Sequence, residues 1–217
     1  MNNLFETYFI NEYMDEYCTG VFSDELDRLG YKNQVSTQWK LNNTKARLFG
    51  KVRTLELEAL ETNDERIQVG LTFLGSLNNN EVFVVKGNND FAYFGELMSR
   101  LSMEIGLAGV IIDGLTRDTF YTQSIELPIW AKGYSPVDIK GRGRVKDTDV
   151  SVIIDGITVN SGDYLFADSD SVVFIPQAIF EQVVEVVNEA AKTEYGIKQM
   201  IKEGKSIKEI LNVVDGF

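Results

Sequence analysis

The chain has 217 residues, 44% of them hydrophobic and 25% charged, an ordinary globular composition with enough length for one substantial core. Its 33 acidic residues outnumber 21 basic ones, and the formal net charge of −12 leaves no phosphate-neutralising surface for a general nucleic-acid role. With no histidine and Cys18 as the only cysteine, disulfides, zinc clusters and Ser-His-Asp triads are excluded, so any metal must be held by oxygen, which suits magnesium, manganese or calcium.

From the N-terminus, Leu4, Phe5, Tyr8, Phe9, Tyr13, Met14 and Tyr17 recur at helical spacing and predict one long amphipathic helix. Ser23 to Asp27 reads as a short capped helix, Lys45 to Leu60 contains strand-like alternation, and residues 61–66 read as a polar loop. From Glu81 the pattern is βαβ: a strand at Val82 to Val85, a turn at Gly87 to Asp90, a helix including Leu97 to Ile105, and a strand at Ala108 to Ile112. An Asp113-Gly114 turn is then expected, a second helix from Thr116 or Arg117 that ends before Pro128, and short strands around Ile129 and Val137.

Val150 to Ile154, Asp155-Gly156 and Ile157 to Val159 give a hairpin signal, and Ser171 to Pro176 a buried strand. Phe180, Val183, Val184, Val187 and Ala191 mark one face of a long helix; Ile207, Ile210, Leu211 and Val214 mark a shorter one. The expected organisation is one α/β domain over 1–217: an N-terminal helical segment at 1–30, a core at 45–176 and C-terminal helices at 177–217. No stretch reaches the ~20 apolar residues of a membrane span. Glu6, Glu12, Asp15 and Glu16 are out of place in a signal peptide, so no membrane partner and a cytoplasmic location are expected.

Strand-to-helix turns are where α/β sheets collect chemistry, which directs attention to Glu96 and to Arg117-Asp118. Two consecutive βα units place their helix starts at one sheet edge, so Glu96 and Asp118 can converge, with Arg117 gripping a carboxylate through its planar fork. Each also has a plainer reading: Asp118 as a helix cap and Glu96 as a solvated first-turn glutamate, both favoured by the helix dipole. Lys140 to Arg144 reads as a basic surface turn ahead of a phosphate site, and Trp39 and Trp130 as core aromatics.

Gly95-Glu-Leu-Met98, Gly109 to Gly114 and Arg117-Asp118, followed by Leu127 to Gly133, Gly156 to Asp163 and Ala167 to Asp170, resemble the RraA-like family. That family includes 4-hydroxy-4-methyl-2-oxoglutarate aldolases and regulators of ribonuclease E activity. The resemblance covers roughly residues 80–176 and implies a compact α/β/α swivelling-domain-like fold, assembled as a homotrimer or homohexamer with sites between subunits. It implies Asp118 as a ligand of Mg2+ or Mn2+, Arg117 as the pyruvate-binding cation, and Glu96 as the acid that orients metal-bound water. It also implies keto-acid contacts from the backbone at Gly95, Leu97 and Met98, and a water-mediated carboxylate, Glu194, from the neighbouring subunit.

The activity so implied is metal-dependent cleavage of a 4-hydroxy-2-oxo acid to pyruvate, with oxaloacetate decarboxylation through the same enolate. Two other readings stand beside it: a non-catalytic regulator-type binding protein, and an enzyme on this scaffold for another keto or sugar acid. Lys86 to Asp90, where many relatives carry a glycine-rich turn, and a longer stretch at 53–80 depart from the family pattern.

Overall fold

The structure, a computed structural model, describes residues 3–35, 39–42, 46–60 and 67–213. Lys45, the 61–66 loop and Val214 lie outside the described residues. The elements run α1 (Asn3–Tyr8), a 3-10 segment (Asn11–Glu16), α2 (Thr19–Arg28), β1 (Lys40–Leu41), β2 (Leu48–Ala59), α3 (Ile67–Leu74), β3 (Glu81–Lys86) and β4 (Ala92–Phe94). They continue with α4 (Glu96–Ile105), β5 (Gly109–Thr116), α5 (Thr119–Thr122), β6 (Ile129–Tyr134), β7 (Gly143–Thr148), β8 (Val152–Ile154) and β9 (Ile157–Val159). The chain closes with β10 (Tyr164–Ala167), β11 (Val172–Ile175), a 3-10 turn (Gln177–Ile179), α6 (Phe180–Lys202) and α7 (Ile207–Leu211).

One mixed sheet organises these elements in the order β1-β6-β5-β3-β2-β10-β11. Its centre is parallel, β2 with β3, β3 with β5 and β5 with β6, while β10 and β11 add antiparallel strands. β2 is long enough to serve two antiparallel partners on one edge, β10 along Leu48 to Lys51 and β7 along Leu55 to Ala59, with parallel β3 on its other edge along Lys51 to Glu56, and a bulge at Glu56/Leu57 bends it. The sheet therefore curls.

Alternation along the strands supplies a core on each face. Phe83, Val85, Val110 and Ile112 pack with residues of α3 and its flanks on one side, and Val82, Val84, Ile111 and Trp130 pack under the β8–β9 hairpin on the other. A third cluster joins Phe5, Phe9, Tyr17 and Phe22 to Phe49, Phe166 and the buried face of α6 at Phe180, Val183, Val187 and Ala191. Helices packed against a curled mixed sheet make this the α/β fold expected of the swivelling-domain-like class.

Several expected elements are corrected. The long first helix is broken after Tyr8, because the Asn188 side-chain amide donates to the Tyr8 carbonyl at 3.0 Å and the Ile10 N–H donates to the Tyr17 hydroxyl at 3.0 Å. Ser23 lies inside α2; the helix start is held by a distant aspartate, Asp168, whose carboxylate accepts from the N–H and the hydroxyl of Thr19, both at 2.8 Å. Asp113-Gly114 is no turn. β5 runs through it, and the buried Asp113 carboxylate is neutralised by Lys86 and Lys132 from the flanking strands.

The helix expected from Thr116 shrinks to the single turn of α5. The Asn42 side chain takes the carbonyls of Thr122 (2.6 Å) and Leu127 (2.9 Å) and the N–H of Ile129 (2.7 Å), which fixes an irregular connection. Val137 carries only an isolated bridge beside it, and β4, β7 and β10 gave no strand signal. The Asp155-Gly156 hairpin does form, with both residues at positive φ (50° and 85°) as a tight two-residue turn requires. Trp130 is buried in the core and donates to the Asp168 carbonyl at 3.2 Å.

Candidate active site

The site grows from the ends of β4 and β5. The Phe94 carbonyl accepts from the Arg117 N–H (2.9 Å) and the Thr116 hydroxyl (2.5 Å), which ties the start of α4 to the residues after β5. Gly95 is the last extended residue before α4, and a Cβ there would lie 2.3 Å from Asp118 Oδ2 and 3.0 Å from Arg117 Cγ. Only glycine lets the two segments meet this closely. Asp118 itself sits in the left-handed region (φ 58°, ψ 41°), a conformation aspartate tolerates better than most residues, and its carbonyl accepts the Tyr121 and Thr122 N–H groups that begin α5.

In this geometry Asp118 Oδ2 accepts the backbone N–H of Glu96 at 2.9 Å, a charge-assisted bond at the positive end of α4. The helix geometry leaves the next N–H groups, those of Leu97 and Met98, without an intrahelical acceptor, so three amides and the helix dipole converge on one spot. Arg117 directs Nε to within 3.7 Å of Asp118 Oδ2 and Nη1 to 3.2 Å of Asp138 Oδ2. A negative chain thus concentrates guanidinium and amide donors at one point, which a small anion would need.

Glu96 meets Asp118 through its main chain only. Its carboxylate turns along α4 to Arg100, 2.9 Å from Nε and 2.8 Å from Nη2, and Arg100 lies over the Tyr121 ring with its guanidinium carbon 4.3 Å from the centroid. The Glu96 pairing raises the Arg100 pKa above its ordinary value. Glu194 lies on α6, 4.0 Å from Lys198, which also pairs with the buried Glu16. Burial pushes the Glu194 carboxyl upward, with Lys198 opposing and Glu16 and Asp24 reinforcing the shift.

Sequence reasoning missed Asp138 and Arg100. The i,i+4 spacing of Glu96 and Arg100 was a readable signal, whereas nothing local connects Asp138 to Arg117. Among the described residues no three acidic or cysteine side chains are grouped so that they could hold a metal ion together. A single carboxylate with waters still suits magnesium, which usually keeps several waters and takes one or two carboxylates, so the donor set at Asp118 fits a sparse divalent site. No described helix is long and apolar enough to cross a membrane.

The RraA-like family profile, described as Aldolase/RraA, matches residues 19–174. Legionella pneumophila protein DlpA is 23% identical over 189 residues, 86% of this chain, and the chain spans only about a third (31%) of that protein's length. A protein of Halorhodospira halophila, named "Putative 4-hydroxy-4-methyl-2-oxoglutarate aldolase", is 33% identical over 131 residues, covering 59% of this chain and 76% of its own. The crystal structure of Streptomyces coelicolor RraAS2, described as an unusual member of the RNase ES inhibitor RraA protein family, superposes with a TM-score of 0.74 at 20% identity, covering 87% of this chain and 96% of its own. That likeness establishes the shared fold.

Proposed function

This chain belongs to the RraA-like family, and on that premise we propose that it is a divalent-metal-dependent lyase which cleaves a 4-hydroxy-2-oxo acid, such as 4-hydroxy-4-methyl-2-oxoglutarate, to pyruvate, and which decarboxylates oxaloacetate. The observation that carries this reading is the closure of Asp118 onto the α4 N-terminus across Gly95, with Arg117 alongside. A surface for protein contact alone has no need of that arrangement.

In this reading Asp118 would hold the metal directly, Glu96 would act on it through water, and Glu194 of the partner subunit would do so through water in a homotrimer or homohexamer. Phe120 and Leu97, exposed at 99% and 76%, put apolar surface beside the site that a neighbouring subunit would cover. When bound, Mg2+ or Mn2+ supplies Lewis-acid stabilisation of negative charge on the keto acid.

The protein's own groups do the rest. Arg117 binds the substrate carboxylate, and the Leu97 and Met98 amides meet its oxygens at the helix start. With no histidine in the chain, Glu96 is the acceptor, through an ordered water, of the proton on the C4 hydroxyl. Its pair with Arg100 is surface-exposed and inexpensive to open. As that proton leaves, the C4–O bond becomes a carbonyl, the C3–C4 bond breaks and its electrons form the pyruvate enolate. Arg117 offsets the enolate charge until C3 is protonated. Oxaloacetate loses carbon dioxide to give the same enolate.

The test is pyruvate release by the wild-type protein from 4-hydroxy-4-methyl-2-oxoglutarate and from oxaloacetate, with magnesium and with a chelator. Turnover that the chelator abolishes is expected on at least one substrate. No release above the metal-only background on either would turn the reading toward another keto or sugar acid, or toward a regulator-type binding protein as described for the Streptomyces relative.

A further inference from the structure

We propose that Asp138 is a built-in competitor for the substrate carboxylate at Arg117, a specificity-determining residue that keeps the site's resting affinity for simple carboxylates low. The proposal rests on Arg117 being the carboxylate-binding cation. Asp138 Oδ2 lies 3.2 Å from Arg117 Nη1, and the two side chains are similarly half-exposed. A guanidinium grips a carboxylate best with two parallel N–H donors, so an incoming carboxylate must either displace Asp138 or accept a poorer share of the fork.

The position is not an accident of a loose loop. The Ala92 N–H donates to the Val137 carbonyl at 2.7 Å, Ala92 forms a bridge with Asp138, and the next side chain, Ile139, is buried. Arg142 Nη1 also donates to the Asp138 carbonyl at 3.2 Å. The backbone that presents Asp138 is thus fastened to β4, the strand that leads to Gly95. Arg117 accordingly faces two carboxylates, Asp118 and Asp138, and the three groups sum to one negative charge in a chain already at −12. Such a site takes an acid that binds the metal at Asp118 as well as Arg117, and discriminates against one that offers a carboxylate alone.

The experiment measures oxalate, a planar stand-in for the enolate, by calorimetric titration with magnesium present and by inhibition of pyruvate release, in wild type, Asp138→Asn, Asp138→Ala and Arg117→Lys. Both Asp138 variants are expected to bind oxalate about two- to five-fold tighter than wild type, the range for an exposed ion pair, with KM for the keto acid falling in parallel and the change read in KM and not kcat. The alanine arm separates charge from structure: Asp138 Oδ1 also accepts the Lys140 N–H at 3.4 Å, a contact asparagine keeps and alanine loses. Equal or weaker binding in Asp138→Asn, or a gain in neither variant, overturns the proposal while loss of binding in Arg117→Lys leaves the site reading intact. Wild-type binding that Arg117→Lys does not weaken overturns both.

Discussion

Gly95 is where one atom decides the site. It is not chosen for an unusual φ; its backbone is extended, and the constraint is the 2.3 Å that would separate a Cβ from Asp118 Oδ2. Gly95→Ala should therefore push Asp118 off the Glu96 N–H, and a displacement near 1 Å in a reacting constellation lowers turnover by about 100-fold. Pyruvate-release kinetics on the folded variant would check this, and a wild-type rate would contradict it. At this scale the sequence was unevenly informative. Glu96, Arg117 and Asp118 were legible through family spacing, yet the meeting of Glu96 with Asp118 through a main-chain N–H was not, because sequence patterns report side chains. Asp138 was invisible, since its approach to Arg117 depends on how β6 hands over to a loop pinned against Ala92.

Among the elements, those with strong periodicity and local turn chemistry were readable: β3, α4, β5, the β8–β9 hairpin, β11 and α6. Those that failed are held by distant side chains. Asn42 fixes the connection after α5 from 80 residues away in sequence, and Tyr17 with Asn188 breaks the N-terminal helix. The start of α2 belongs to the same class, because Asp168, 149 residues on, occupies the role that Ser23 suggested for a local cap. Removing this buried carboxylate in Asp168→Ala strands the Thr19 N–H and hydroxyl and also the Asp170 N–H that it accepts at 2.9 Å. A loss of about 1–3 kcal/mol is expected in urea unfolding, without a change in the slope of the transition. No shift in midpoint would mean that α2 is held by its packing alone.

For the molecule as a whole, the curl of the sheet gives stability a pH dependence. Arg53 on β2 grips Asp149, just beyond β7, through two contacts of 2.8 and 2.6 Å, and also lies 3.2 Å from Glu81 at the start of β3. The Arg53 hydrogen bonds hold the Asp149 carboxyl below its ordinary value of 3.8, with burial opposing and Ser161 assisting. A depressed carboxyl stabilises the fold above its unfolded pKa and ceases to do so as pH falls through the folded one. Asp149→Asn, which tolerates the same positive φ of 54°, should lose less than about 1 kcal/mol at neutral pH, because the pair is partly solvated. The gap from wild type should close below about pH 4, and urea midpoints across pH 2–7 that stay equally separated would contradict this assignment. Fold class was legible in the alternation of strands and helices; the antiparallel additions around β2 were not, since they depend on a strand long enough to bend between two partners. The central claim, that Asp118 beside the α4 N-terminus holds the metal and keto acid, is tested most directly by comparing background-corrected kcat/KM for magnesium-dependent pyruvate release in wild type and Asp118→Ala. A fall of about 100-fold or more is expected, and equal rates in a folded variant would contradict the account.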